Sequence, residues 1–375
     1  MSYRLPIIAV SLCLGTYFIA HNSSFSGMNQ MKINHKEQEI TYRNNAAGIT
    51  LAGTLTLPYS QTKNPAVILV PGYGPHDRDV TAMGHKLFKV IAEHLTSQGI
   101  AVLRYDKRGI GKSTGDWNSV TSKELAGDVL AGIEYLKTRD EIRHDAIGLI
   151  GLSEGGLIAA MVGAQSPDIN FAVLMAPYVA LGVDNLVYQS GEQLRADGAS
   201  AEFIAHDQIT RKAMYTIAKQ EPNAQVAAQK IKELLTEYVV QLPASQKHEA
   251  AKLPWAFTES NIGMWSNVLL SVPYQFYLNY DPSAVLETLK IPVLTIVGSH
   301  DPITSPHKIV PVLTHAFEKS GHKDFTIIEL PNLNHSFQTC KTGSMAEYAT
   351  IKETIAPIAL KTITDWIIKR TSLHK

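Results

Sequence analysis

Two kinds of hydrophobic pattern alternate along the chain. "QEITYRN" (38–44) and "ITLAGTLTLP" (49–58) largely alternate between apolar and polar residues and are rich in Ile and Thr. That period predicts two strands, paired as an antiparallel edge hairpin across Asn44 to Gly48. Downstream the alternation stops. "AVILVPG" (66–72), "GIAVLRYD" (99–106), "AIGLIGLS" (146–153), "INFAVLMAP" (169–177), "IPVLTIVGSHD" (291–301) and "DFTIIELPN" (324–332) are continuous apolar runs ending in turn residues. Runs of this kind suit strands covered on both faces, hence a parallel sheet. Helical spacing fills the intervals, at Leu87 to Gln98, Ser122 to Thr138, Gly155 to Gln165 and Ala346 to Arg370. Strand followed by helix, repeated, predicts a doubly wound, mostly parallel α/β sheet.

One stretch departs from this rhythm. Residues 179–281 hold no buried-strand run but several helical ones, such as "AEFIAHDQITRKAMYTIAKQ" and "AAQKIKELLTEYVVQL". An interval of that length is far beyond a loop. It reads as a helical cap inserted into a core made of 38–178 and 282–375. The aromatic "PYQFYLNYDP" leads back into the sheet.

The first 27 residues form a separate unit. Arg4 precedes "LPIIAVSLCLGTYFIA" (5–20), which carries no charge, and a polar stretch follows. A basic start and an apolar middle resemble an export signal, and the run is slightly short for a membrane span. Three readings stay open: a cleaved leader, an uncleaved anchor giving membrane association, or a docked helix. In the first two the protein is exported to the periplasm or beyond.

Composition narrows the field. Of 375 residues, 45% are hydrophobic and 18% charged, and the formal net charge is zero. That is ordinary globular usage, without the basic excess of a nucleic-acid binder. The two cysteines, Cys13 and Cys340, cannot build a disulfide framework, and Cys340 reads as a small hydrophobe rather than a reactive thiol. "RYDKRGIGKSTG" (104–115) looks at first like a phosphate cradle. However, only Ile110 separates Gly109 from Gly111, where a P-loop needs four residues. His76, Asp77, Asp79 and His85 match no metal-ligand spacing and read as a polar network under a loop.

The chemistry concentrates in "LIGLSEGGLIAA" (149–160). An ordinary strand-to-helix turn has no need of Gly151-x-Ser153-x-Gly155. The pattern suits a turn sharp enough to expose a serine oxygen. A serine nucleophile then requires a base, and the base requires an acid. In that chain order, Asp301 follows the "LTIVG" run and His335 follows the "TIIELPN" run. Ser153 would attack an acyl carbon, His335 would shuttle the proton, and Asp301 would hold the imidazole. His300 precedes the acid, Asp281 precedes its strand, and His315 and His322 are expected in or near a helix facing solvent. The oxyanion donors expected are the backbone N–H groups of Glu154 and Tyr73.

"VPGYGPHDRD", "RYDKRGIGKSTG", "GLSEGG", "VGSHDPITSP" and "LPNLNHSFQTCKTG" together resemble the α/β-hydrolase superfamily, in particular capped bacterial serine esterases and serine-aminopeptidase-like hydrolases. The resemblance covers about residues 38–372. It implies a Ser-Asp-His triad at Ser153, Asp301 and His335, an oxyanion loop at Tyr73, no cofactor, and acyl-bond hydrolysis; no metal is expected on the spacing above. Pro71-Gly72-Tyr73 departs from the His-Gly-Gly run of many lipases, which tells against a lipase. The leading expectation is an esterase for small-molecule acyl esters. A peptidase remains open, with Glu154 as the group to hold a substrate amine, as do a thioesterase and a catalytically silent binding protein. No oligomeric state follows from the sequence.

Overall fold

The computed structural model describes residues 35–371. The apolar leader and Cys13 lie outside them, so their readings stay as expectations. Among the described residues, no helix is long and apolar enough to cross a membrane.

Eight strands form the main sheet: β1 (His35–Asn44), β2 (Ile49–Pro58), β3 (Asn64–Val70), β4 (Ala101–Tyr105), β5 (Ile142–Leu152), β6 (Phe171–Met175), β7 (Val293–Gly298) and β8 (Phe325–Leu330). Their spatial order is β1-β2-β4-β3-β5-β6-β7-β8. β2 runs antiparallel to both β1 and β4, and from β4 to β8 every pairing is parallel. The hairpin and the parallel order stand as the hydrophobic pattern implies, but β8 is not covered on both faces: it closes the sheet as an edge strand with a neighbour on one side only, and of its residues Leu330 alone is fully buried while Glu329 is exposed.

The reason is visible along β3. Every residue of this strand is buried. Ala66, Ile68 and Val70 join one apolar cluster, whereas Val67 and Leu69 join another on the opposite face. Helices α1 (Leu87–Ser97), α2 (Ser122–Lys137) and α3 (Glu154–Gln165) cover these faces. Phe88 and Ile91 of α1 sit on one side, and Leu125, Val129, Leu157 and Ile158 of α2 and α3 on the other. Burying each such side chain is worth about 1.5–3 kcal/mol, so a strand with no polar face is held only between two layers.

Between β6 and β7 the chain is helical: α4 (Val183–Ala196), α5 (Ala201–Gln220), α6 (Ala224–Gln241), α7 (Ala244–Ala250), α8 (Ile262–Leu269), α9 (Val272–Asn279) and α10 (Ser283–Thr288). Most of these helices share a third apolar cluster, which includes Phe203, Ile231, Phe257 and Trp265. Helix α11 (Pro306–Lys319) joins β7 to β8.

Two further expectations are corrected. The helix expected over Ala346 to Arg370 is two helices, α12 (Met345–Tyr348) and α13 (Pro357–Thr371). The residue before a proline is steered away from helical backbone, so Pro357 opens a helix and cannot continue one. The intervening segment hydrogen-bonds elsewhere, with Ala356 N–H donating to Phe337 O at 2.8 Å and Gln338 Nε2 donating to Glu353 O at 3.0 Å. His322 does not face solvent. It is buried, its Nε2–H donates to Ile291 O at 2.9 Å, and its ring lies 5.2 Å from that of Phe317. His315 is exposed.

Candidate active site

Ser153 sits between β5 and α3 with φ 56° and ψ −118°. A left-handed serine is costly, by about 1–3 kcal/mol, and such backbone persists only where its surroundings hold it. Here Ser153 N–H donates to Met175 O at 2.9 Å, and Ser153 O accepts from Gly156 N–H at 2.9 Å and Tyr178 N–H at 3.0 Å. The flanking glycines now have a mechanical explanation. A Cβ on Gly151 would lie 2.0 Å from Gly155 O, and a Cβ on Gly155 would lie 2.0 Å from Val70 O. The strand, the turn and the neighbouring strand approach too closely for any side chain there.

Asp301 follows β7 and His335 follows β8. The structure brings them together: His335 Nδ1–H donates to Asp301 Oδ2 at 2.7 Å. The remaining acceptor sites of Asp301 are filled. Oδ1 accepts from the N–H groups of Ile303 and Thr304 at 2.8 and 2.9 Å, and Oδ2 also accepts from Thr304 Oγ1 at 2.6 Å. Burial works against ionisation, but the imidazole and the Thr304 donors outweigh it and hold the carboxyl below the usual range. With Nδ1 committed to Asp301, the imidazole presents Nε2 to other groups. His335 N–H donates to Tyr348 Oη at 3.2 Å, and Asn334 Oδ1 accepts from Ser336 and Gln338 N–H at 3.0 and 2.9 Å, shaping the loop.

Ser153 lies at the meeting point of two clefts. One is lined by Ser153, His335, Tyr73, Met83 and Tyr348 among others. The other lies under the helices between β6 and β7 and includes Ser153, Tyr73, Tyr178, Trp265, Tyr274 and Tyr277. Tyr73 borders both clefts, its ring edge-on to Trp117 and Tyr277 at 5.7 and 5.6 Å. An arrangement with one hydroxyl between two cavities, and an imidazole–carboxylate pair beside one of them, can divide a substrate into two parts at an acyl carbon.

Glu154 has a different surrounding from the one the peptidase reading needs. Its carboxylate is buried, accepting from Lys107 Nζ at 2.9 Å and Ser122 Oγ at 2.8 Å. Among the described residues it is the one carboxylate lining either cleft. Lys107 was not singled out from the sequence. It stands 47 positions from Glu154, and nothing in local spacing signals the pair.

The residues weighed as a metal set go to separate partners. His76 Nε2–H donates to Tyr73 O at 2.8 Å, Asp77 accepts from Thr81 Oγ1 at 2.7 Å, Asp79 pairs with Arg104, and His85 bonds Thr354 Oγ1 at 3.0 Å. No group of three or more ligand-type side chains able to hold a metal ion occurs among the described residues. Burial, and then the Lys107 charge, lowers His76 to about 4, so the ring is neutral at pH 7. Cys340 is half-buried, and burial followed by the Glu347 charge pushes its thiol up to about 11. It carries no thiolate chemistry at neutral pH.

Residues 61–248 match the family model described as serine aminopeptidase, S33. The chain belongs to this family of α/β-hydrolases. The matched segment contains Tyr73, Ser153 and Glu154, and Asp301 and His335 lie beyond it. This S33-family hydrolase is 35% identical to the esterase EstD of Thermotoga maritima over 127 residues, which is 34% of the chain and 30% of that esterase. The alignable part thus spans less than a third of the relative's length. Among solved structures, the α/β-hydrolase GrgF from Penicillium sp. sh18 superposes with a TM-score of 0.53 at 18% identity, over 90% of this chain and 99% of that one. The Pyrococcus furiosus esterase Pf2001 does so with a TM-score of 0.52 at 15% identity, over 94% and 99%. The fold is that of the α/β-hydrolases, in keeping with the family that the matched segment shows.

Proposed function

We propose that the protein is a serine hydrolase that cleaves carboxylic esters of small molecules through an acyl-enzyme. The observation that carries the reading is the strained Ser153 turn at the junction of two clefts, with the His335–Asp301 pair on one of them. A substrate carbonyl lies over Ser153, its acyl part in one cleft and its alcohol part in the other. His335 takes the serine proton as the oxygen attacks, a role worth about 10²–10⁴-fold. The amides of Tyr73 and Glu154 receive the oxyanion, each worth about 10²–10³-fold in kcat. His335 then protonates the departing alkoxide, and a water repeats the sequence to release the acid. Asp301 keeps the imidazole in the Nδ1–H tautomer and stabilises its charge.

Ester cleavage is favoured over removal of an N-terminal residue. A substrate amine needs a carboxylate whose charge is not already paired, and that of Glu154 is paired with the buried Lys107 ammonium. The aromatic wall of Tyr73, Tyr178, Trp265, Tyr274 and Tyr277 suits an apolar or aromatic group better than an ammonium and its peptide. Residues 5–20 support export. The test is turnover of p-nitrophenyl esters, acyl-CoAs and aminoacyl p-nitroanilides by purified protein. Esters are expected to lead; preference for the anilides would restore the peptidase, and preference for acyl-CoAs would make the enzyme a thioesterase.

A further inference from the structure

We propose that Lys107 is the positioning residue of the oxyanion hole, one buried ammonium that fixes both of its amide donors. The proposal rests on the serine-hydrolase reading above and adds to it a residue that the mechanism does not otherwise use.

Lys107 is 2% exposed. Its Nζ donates to Gly72 O at 2.8 Å and to Glu154 Oε2 at 2.9 Å. These two acceptors belong to the two halves of the hole. Gly72 O and the Tyr73 N–H are opposite ends of one peptide group. That group is trans and planar, so its N–H points away from its C=O. An ammonium on the carbonyl side therefore sets the direction of the amide on the other side. It also polarises the peptide, making the N–H a stronger donor. Ser153 packs against the same residue: a Cβ on Gly72 would meet Ser153 Cβ at 3.3 Å.

The second acceptor anchors Glu154, whose own N–H opens α3, where first-turn amides have no partner within the helix. Lys107 Nζ, Glu154 Oε2, Glu154 Oε1 and Ser122 Oγ form a chain that ties the nucleophile turn to α2. The loop carrying Tyr73 is pinned twice more nearby. His76 Nε2–H donates to Tyr73 O at 2.8 Å, and Lys107 N–H donates to His76 O at 3.1 Å. Lys107 touches no reacting atom, and its effect passes through the backbone. A buried ion pair is a poor source of stability in itself, since desolvation offsets the attraction. The geometry gives this one a different use: holding two amides steady before charge develops between them.

The experiment compares wild type with Lys107→Met and with the double variant Lys107→Met/Glu154→Met, which removes both buried charges together and so keeps a variant that folds. Three quantities are read: active sites titrated by a fluorophosphonate, kcat per titrated site on a p-nitrophenyl ester, and Ki for an arylboronic acid, which forms a tetrahedral adduct with the serine. Both variants are expected to lose on the order of 100-fold in kcat, the cost of one misplaced donor, with KM within about threefold. Ki for the boronate should rise by a similar factor. A lysine that merely stabilises the fold would reduce the number of titrated sites and leave kcat per site and the boronate Ki at wild-type values, which overturns the proposal. If wild type takes up no phosphonate at Ser153, the serine reading falls and the role of Lys107 falls with it. If wild type is labelled and the variants match it, only the role of Lys107 falls.

Discussion

Asp301→Asn isolates the tautomer control on which the proton transfer depends. The side chain keeps its shape, and its orientation is dictated by its neighbours. Oδ1 accepts from two backbone N–H groups, Ile303 and Thr304. An NH2 group cannot replace it there, so the amide oxygen must take that side. The new NH2 then takes the place of Oδ2, facing Thr304 Oγ1 and His335 Nδ1. The threonine hydroxyl can rotate to accept. The histidine can only accept by moving its proton from Nδ1 to Nε2. Nε2, which should take the serine proton, then already carries one. Loss of the correct tautomer costs on the order of 10⁴-fold in kcat, about 5.5 kcal/mol of transition-state stabilisation. Little structure is lost, because every hydrogen-bonding position keeps a partner. The assay is kcat/KM on a p-nitrophenyl ester, with circular dichroism and a melting curve as the folding control. A folded variant within tenfold of wild type would refute the role given to Asp301.

Gly155→Ala should be far worse than its size suggests. The added carbon would stand 2.0 Å from Val70 O and 2.8 Å from Pro71 O, both backbone atoms that cannot swing aside. The expected loss is about 3 kcal/mol or more, read by denaturant midpoint, and an unchanged midpoint contradicts the close approach. His76 predicts a dependence on acid. Its folded ring gives up its proton at about 4, against 6.5 for the ordinary value. The unfolded chain therefore binds more protons between those limits. The contribution of His76 is complete above about pH 6.5, shrinks as pH falls, and is gone near pH 4, a span on the order of 3 kcal/mol. His76→Gln keeps a donor for Tyr73 O and removes the titration. Its melting temperature should fall less than that of wild type from pH 7 to pH 5, and parallel profiles would exclude His76 as a source.

What could be read from the chain depended on range. Residues 66–72 and 291–301 announce buried strands because an apolar run is most stable away from water, and the parallel part of the sheet assembles from six apolar runs, the last of which lies half-covered at the edge. The serine turn is legible because its glycines are local: the clash that excludes Cβ at Gly151 is with Gly155, four residues on. The order of acid and base after Ser153 follows from strand ends, which are again local signals. Contacts made across the fold left no such trace. The ammonium of Lys107 meets Glu154 only because β4 and β5 flank β3, a fact of sheet order and not of spacing. His322 reads as a surface residue because it lies just past the end of α11, and helical spacing does not reveal the turn that carries it onto Ile291. The break before Pro357 was signalled by the proline itself, and helical spacing on either side hid it.

The central claim is that Ser153 is the nucleophile. Incubating the protein with a fluorophosphonate and mapping the adduct by peptide mass spectrometry tests this directly. The account predicts one phosphonate per chain, on the peptide holding Ser153, with ester turnover lost in step and no labelling of Ser153→Ala. An adduct on another residue, or full turnover with Ser153 occupied, would contradict it.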